Sequence, residues 1–133
     1  MPEPTVNRRL AAAFNAHDLD ALVACFHDDY RSEQPAHPGR AFTGNEQVRS
    51  NWGEVFAGVP DMTAEVLREA ADGDTVWSEW RFGGTRTDGS PLDMAGVILF
   101  GVRAERIAWA RLYLELVEPD DIETAVHDIS SGR

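Results

Sequence analysis

The chain of 133 residues is long enough for one domain that buries its own core. Its 12 basic residues are all Arg and face 23 acids, and the resulting formal net charge of −11 argues against nucleic acid or an anionic membrane as a partner. The absence of Lys excludes Schiff-base chemistry, a pyridoxal-phosphate anchor and a phosphate loop ending in Lys. The single Cys25 excludes an internal disulfide framework and a Cys-rich zinc site. No long apolar run resembles a signal peptide or a membrane span, so a cytoplasmic location is the expectation.

Val6, Leu10, Ala13 and Phe14 recur at three- and four-residue spacing and predict a first helix. After the break at Asn15-Ala16-His17, Asp18 is placed to cap a second helix with a stripe of Leu19, Leu22, Val23 and Phe26. His27 to Gln34 reads as a short strand, ended by the irregular run Pro35-Ala36-His37-Pro38-Gly39. Thr43-Gly44-Asn45-Glu46 has the spacing of a capping box and predicts a third helix, with Val48, Trp52, Val55 and Phe56 on its buried side and Gly58 and Pro60 as its stop.

The second half changes period. Met62–Ala71, Thr75–Thr87, Leu92–Arg103 and Arg106–Val117 read as four strands, with Asp72-Gly73-Asp74 as a tight hairpin signal between the first two. Pro119-Asp120-Asp121 fits the first turn of a short C-terminal helix over about 119–129. Helices followed by antiparallel strands indicate an α+β fold: one domain, core about 5–118, in which a curved antiparallel sheet wraps around the N-terminal helices and forms a cone-shaped cavity. Trp77, Trp80, Phe82, Trp109 and Tyr113 are the expected wall of that cone.

His17-Asp18-Leu19-Asp20-Ala21-Leu22 running into Phe26-His27-Asp28-Asp29 resembles the early helices of the nuclear-transport-factor-two-like superfamily, which includes ketosteroid isomerases, limonene epoxide hydrolases and SnoaL-like polyketide cyclases. Thr43-Gly44, Phe56 with Pro60-Asp61, Asp72-Gly73-Asp74 into Glu79-Trp80-Arg81, Gly84-Thr85, Arg106-Ile107-Ala108-Trp109 and Tyr113-x-Glu115 look most like the SnoaL-like branch. The resemblance runs from about Val6 to Val117 and implies that branch's fold. It speaks less to the reaction, because one fold hosts many chemistries. Ketosteroid isomerases carry a base Asp before a Pro where this chain has Gln34. Their oxyanion-binding Tyr falls at Leu10, and their second donor falls near Gly96 or Ile98, so steroid isomerisation is not expected. Against limonene epoxide hydrolases, Glu115 stands where an Asp is found and Arg81 is present, but Gly83 occupies the place of the second Asp. SnoaL-like cyclases resemble this chain in having an acid at Glu115, and often carry His where this chain has Arg86.

Alternation along the last strand places Ile107, Trp109, Arg111, Tyr113 and Glu115 on one face, here expected to line the cavity. Ala108, Ala110, Leu112, Leu114 and Leu116 then form an apolar opposite face, expected to meet a second layer or a homodimer partner. A Glu at the mouth of an apolar cavity suits proton transfer; the alternative is a strand-end carboxylate paired with an Arg. In the catalytic reading Glu115 moves a proton, Tyr113 and Gln34 orient the substrate oxygen, and Arg111 stabilises negative charge. His37 serves as a second acid–base group at the cavity mouth, while Trp80, Trp109, Met94 and Ile98 shape an apolar pocket. His17, His27 and His37 stand ten apart and match no compact ligand motif, so no metal is expected, nor an organic cofactor. The expected function is acid–base chemistry of the cyclase or isomerase type on a mostly apolar carbonyl- or epoxide-bearing small molecule. Its rivals are epoxide hydrolysis and a binding or dimeric assembly module without turnover.

Overall fold

The computed structural model describes residues 5–118; the helix predicted over 119–129 lies outside the described residues. Helix α1 (Val6–Ala16) begins after Thr5, whose hydroxyl accepts from the Arg8 N–H, and ends at His17 in the left-handed region with φ 52°. Helix α2 (Leu19–Ala24) is capped by Asp18, whose carboxylate accepts from the Ala21 N–H as its sequence position predicts. Phe26, predicted to end that helix stripe, instead opens strand β1 (Phe26–Glu33). A short 3₁₀ turn (Pro38–Arg40) and a two-residue strand β2 (Phe42–Thr43), neither of them predicted, lead to helix α3 (Asn45–Gly58). The capping box is absent, because Thr43 is paired in β2 with Arg31 and α3 starts from Gly44 without a side-chain cap.

Strands β3 (Thr63–Asp72), β4 (Thr75–Thr85), β5 (Pro91–Arg103) and β6 (Arg106–Leu116) follow within a residue or two of the predicted bounds. The turn joining β5 to β6 is Ala104-Glu105, with φ of 51° and 64°. Both central residues are thus in the left-handed conformation that a two-residue hairpin requires, without the usual Gly or Asn. The six strands form one curved sheet in the order β2-β1-β6-β5-β4-β3. All pairings are antiparallel except β1 with β6, which run parallel. Gly96 permits the sheet's close coiling: at φ 155° its missing Cβ would lie 2.0 Å from the Tyr113 carbonyl oxygen on β6.

The concave face of the sheet packs on the helices. Trp80, Phe82, Ile98, Phe100, Ile107 and Ala110 are buried there against Leu10, Phe14, Leu22 and Val48. The Trp80 and Phe82 rings stack at 5.4 Å, and the Phe14 edge meets both. Burying the Trp80 N–H requires a partner; it donates to Ser78 Oγ at 2.8 Å, and that hydroxyl donates in turn to the Ile98 carbonyl.

Candidate functional site

The packed aromatic core fills the narrow part of the cone and leaves a cavity of about 290 Å³ at its mouth, between the C-terminal half of α3 and the ends of β4 and β5. Trp52, Val55, Val59, Met62, Leu92 and Met94 give it apolar walls, and among the described residues half-buried Arg86 is its one charged lining residue. Arg86 sits in the β4–β5 connection, held by its guanidinium's bonds to the Pro91 carbonyl and Ser90 Oγ and by the Arg86 N–H to Ser90 O bond of 2.8 Å. Beside the cavity, the Thr85 N–H donates to the Asp61 carboxylate at 2.6 Å. That bond holds Asp61 below the usual carboxylate range, with His17 adding to the effect. The His17 imidazole stacks on Phe56 at 4.6 Å and donates from Nε2 to the Met62 carbonyl, so it braces the mouth.

Of the expected pocket residues, Met94 lines this cavity. Trp80 and Ile98 do not; at 0% and 4% exposure they are sealed in the core beneath it. The expected orientation of β6 is reversed. Ala110, Leu112 and Leu114 face the helices, while Arg111, Tyr113 and Glu115 point outward from the convex face and are exposed. Alternation fixes which residues share a face but not which face meets the helices, and here the apolar one does; a bulge also separates Ile107 from the outward set. Gly101 pairs with Trp109 and Val102 with Ile107, so Ala108 is an extra residue that breaks the alternation and leaves Ile107 and Ala110 on the same side. Trp109 also lies on the convex face, its indole occupying the space where a Cβ on Gly101 would sit. Trp77 and Tyr113, expected in the cone wall, are 49% and 44% exposed on the convex side.

Glu115 and His37, 78 residues apart in the chain, meet: His37 Nε2 lies 2.8 Å from Glu115 Oε1. The loop after β1 delivers His37 to the end of β6, at the same end of the sheet as the cavity. Glu115 pairs with Ala95, one residue from the cavity-lining Met94, but neither Glu115 nor His37 lines the cavity. Gln34, expected to orient the substrate, does not line the cavity; its side-chain oxygen accepts from Arg40 Nη1 at 3.1 Å, which closes the loop that carries His37. Arg81, compared above with the epoxide hydrolases, makes a two-pronged ion pair with Asp93 on the convex face, at 2.7 and 2.8 Å. Asp93 raises the Arg81 pKa by these bonds and by its charge. The residue given too little weight by sequence reasoning is Arg86: its place after Gly84-Thr85 was visible, but its position over an apolar cavity depends on how the β4–β5 loop folds back.

No helix among the described residues is long and apolar enough to cross a membrane. A comparison with curated proteins returns no match. Among solved structures, IdmH from Streptomyces antibioticus, a candidate polyketide cyclase, is 25% identical at a TM-score of 0.70, over 94% of this chain and 96% of that one. A SnoaL-like polyketide cyclase candidate from Jannaschia sp. CCS1 is 22% identical at a TM-score of 0.70, over 96% of this chain and 90% of that one. A protein of ketosteroid isomerase-like fold from Catenulispora acidiphila DSM 44928, solved in complex with trimethylamine, is 22% identical at a TM-score of 0.72, over 83% and 85% of the two chains. The SnoaL-like domain family matches residues 7–110, and the chain belongs to it.

Proposed function

We propose that the chain catalyses cofactor-independent acid–base chemistry of the cyclase or isomerase type on a small, mostly apolar molecule bearing a carbonyl oxygen. The observation that carries this reading is the cavity at the mouth of the cone, apolar on every side except for Arg86. A permanently charged guanidinium over an apolar wall favours a ligand that develops negative charge on oxygen, as an enolate does. A volume of about 290 Å³ is at the lower limit of small-molecule pockets, so the ligand has one or two rings rather than a fused polycycle. Tyr113 and Arg111 point from the convex face and line no part of the cavity, so they have no part in this scheme; Glu115 shares that face and enters only through its contact with His37. In it, Glu115 orients His37 from Nε2, and the imidazole takes the proton at the carbon next to the carbonyl while Arg86 holds the oxygen. Family membership and the polyketide-cyclase neighbours support the same reaction class.

The exposure of Glu115, 66% for its side chain, favours a second reading in which the cavity binds a ligand without turnover. Hydrogen–deuterium exchange at the carbon next to the carbonyl, followed by NMR over a panel of one- and two-ring ketones, separates the two. An enzyme exchanges that proton. Arg86→Met then slows exchange about 100-fold or more, and Glu115→Gln abolishes it while ketone binding survives. Binding without exchange in the native protein establishes the second reading. We also propose a homodimer, now through the convex face, where Trp77 and Tyr113 are exposed beside Val97 and Leu99. Light scattering on the native protein and on Trp77→Glu tests it: a dimeric native protein and a monomeric variant support it, and a monomeric native protein overturns it.

A further inference from the structure

The far end of the sheet holds a larger cavity, of about 830 Å³, beneath the N-terminus of α1. It is separated from the mouth by the length of β4, roughly 30 Å at the rise of an extended strand. We propose that it is a second ligand site, selective for an apolar molecule that carries an ammonium group. Among the described residues, Val6, Ala71, Val76 and Val102 form its apolar floor. Its charged lining is Glu69, Asp74 and Glu105 against Arg9, a local balance of three acids to one base. None of the four makes an ion pair among the described residues; the Arg9 guanidinium is directed to the Glu105 backbone carbonyl.

Glu69 is the built element of the site. Its carboxylate is fixed by neutral donors alone, Thr5 Oγ1 at 3.0 Å and Asn7 Nδ2 at 2.9 Å, so it is oriented while its charge stays uncompensated. Asn7 is fully buried, and giving its NH₂ group to Glu69 leaves its Oδ1 as a buried acceptor with no partner. A bare buried acceptor is costly. Here it accompanies the holding of one carboxylate at the edge of an apolar cavity. A ligand ammonium would supply the missing counter-charge while its hydrocarbon part covers the floor, whereas a carboxylate ligand would meet like charge.

The test titrates the full chain at pH 7 with cyclohexylamine, cyclohexanecarboxylate and cyclohexanol, followed by amide NMR. The amine is expected to shift the amides of Val6, Ala71 and Val76 and to bind about tenfold more tightly than the other two, equivalent to about 1.4 kcal/mol. Glu69→Gln is expected to bring the amine down to the affinity of the alcohol. Asp74→Asn with Glu105→Gln, changes at exposed side chains, reduces the amine preference without touching Asn7 and keeps the test independent of how well Glu69→Gln folds. Ala71→Trp fills the cleft and removes binding. Equal binding of amine and carboxylate, no binding of the amine to the native chain, or shifts confined to Trp52 and Met94 overturns the proposal.

Discussion

Strand β4 carries two tryptophans three residues apart, Trp77 on the convex face of the sheet and Trp80 on the concave face, and they are stabilised by different physics. Trp80 is fully buried, stacked on Phe82, edge-on to Phe14 and hydrogen-bonded through Ser78. Trp77 is half exposed, on a face where neighbouring side chains form ion pairs, Arg68 with Glu79 and Arg81 with Asp93. The concave face is selected by volume and shape, because the helices leave no room for solvent. The convex face is selected by solvation and by contacts made outside the chain. The candidate reaction site lies where the two regimes meet, at the mouth, where the charged Arg86 reaches an apolar wall.

The sharpest way to break that comparison is to delete each ring in turn. Trp80→Ala removes the centre of the aromatic cluster and the N–H donor to Ser78 Oγ, and is expected to cost about 3–5 kcal/mol in urea unfolding. Trp77→Ala is expected to cost about 1 kcal/mol or less. A Trp77→Ala cost that grows with protein concentration would instead report association through the convex face.

Tyr30 extends the contrast to charge. Its side chain is buried against Phe26 and Phe42, and burial pushes its hydroxyl pKa up from 10.0 to about 12, opposed by its bond to Ser32. The neutral phenol is the form that the fold holds. Its contribution is fully present below pH 10, the unfolded value, and is lost as the pH rises through the folded value of about 12. The native protein should lose about 3 kcal/mol across that interval from this group, following 1.36 kcal/mol per unit of pKa shift. Unfolding of Tyr30→Phe should lack that part of the alkaline slope. An unchanged slope would place the titrating group elsewhere.

The same division explains what was legible in the sequence. The stripe of Val6, Leu10, Ala13 and Phe14 predicts α1, and all four are buried, because periodicity reports a face directly when an element is regular. The resemblance to the SnoaL-like branch likewise carried the fold. The orientation of Glu115, Tyr113 and Arg111 was illegible because alternation says which residues share a face and not which face meets the helices; the Ala108 bulge additionally separates Ile107 from that set. The apolar set Ala110, Leu112 and Leu114 was the better guide, since only that face fits against helices. The parallel pairing of β1 with β6 is a long-range contact that no short window encodes, yet it is what delivers His37 to Glu115. Trp80 and Trp77 differ by a face, which composition alone does not reveal.

The smallest effect is expected where the geometry looks strongest. Arg81 and Asp93 form a two-pronged pair, and Asp93 raises the Arg81 pKa, yet both side chains are more than 40% exposed on the convex face. Water solvates each partner almost as well in the unfolded chain, so most of the attraction is offset. Arg81→Met and Asp93→Asn, singly and together, should therefore leave the unfolding midpoint nearly unchanged in 1 M NaCl, with a slight coupling that emerges only at low salt. Coupling that persists in high salt would mean that the pair is shielded in solution. The covering surface would then be a second copy of the chain on the convex face, and light scattering on the same samples would find the dimer.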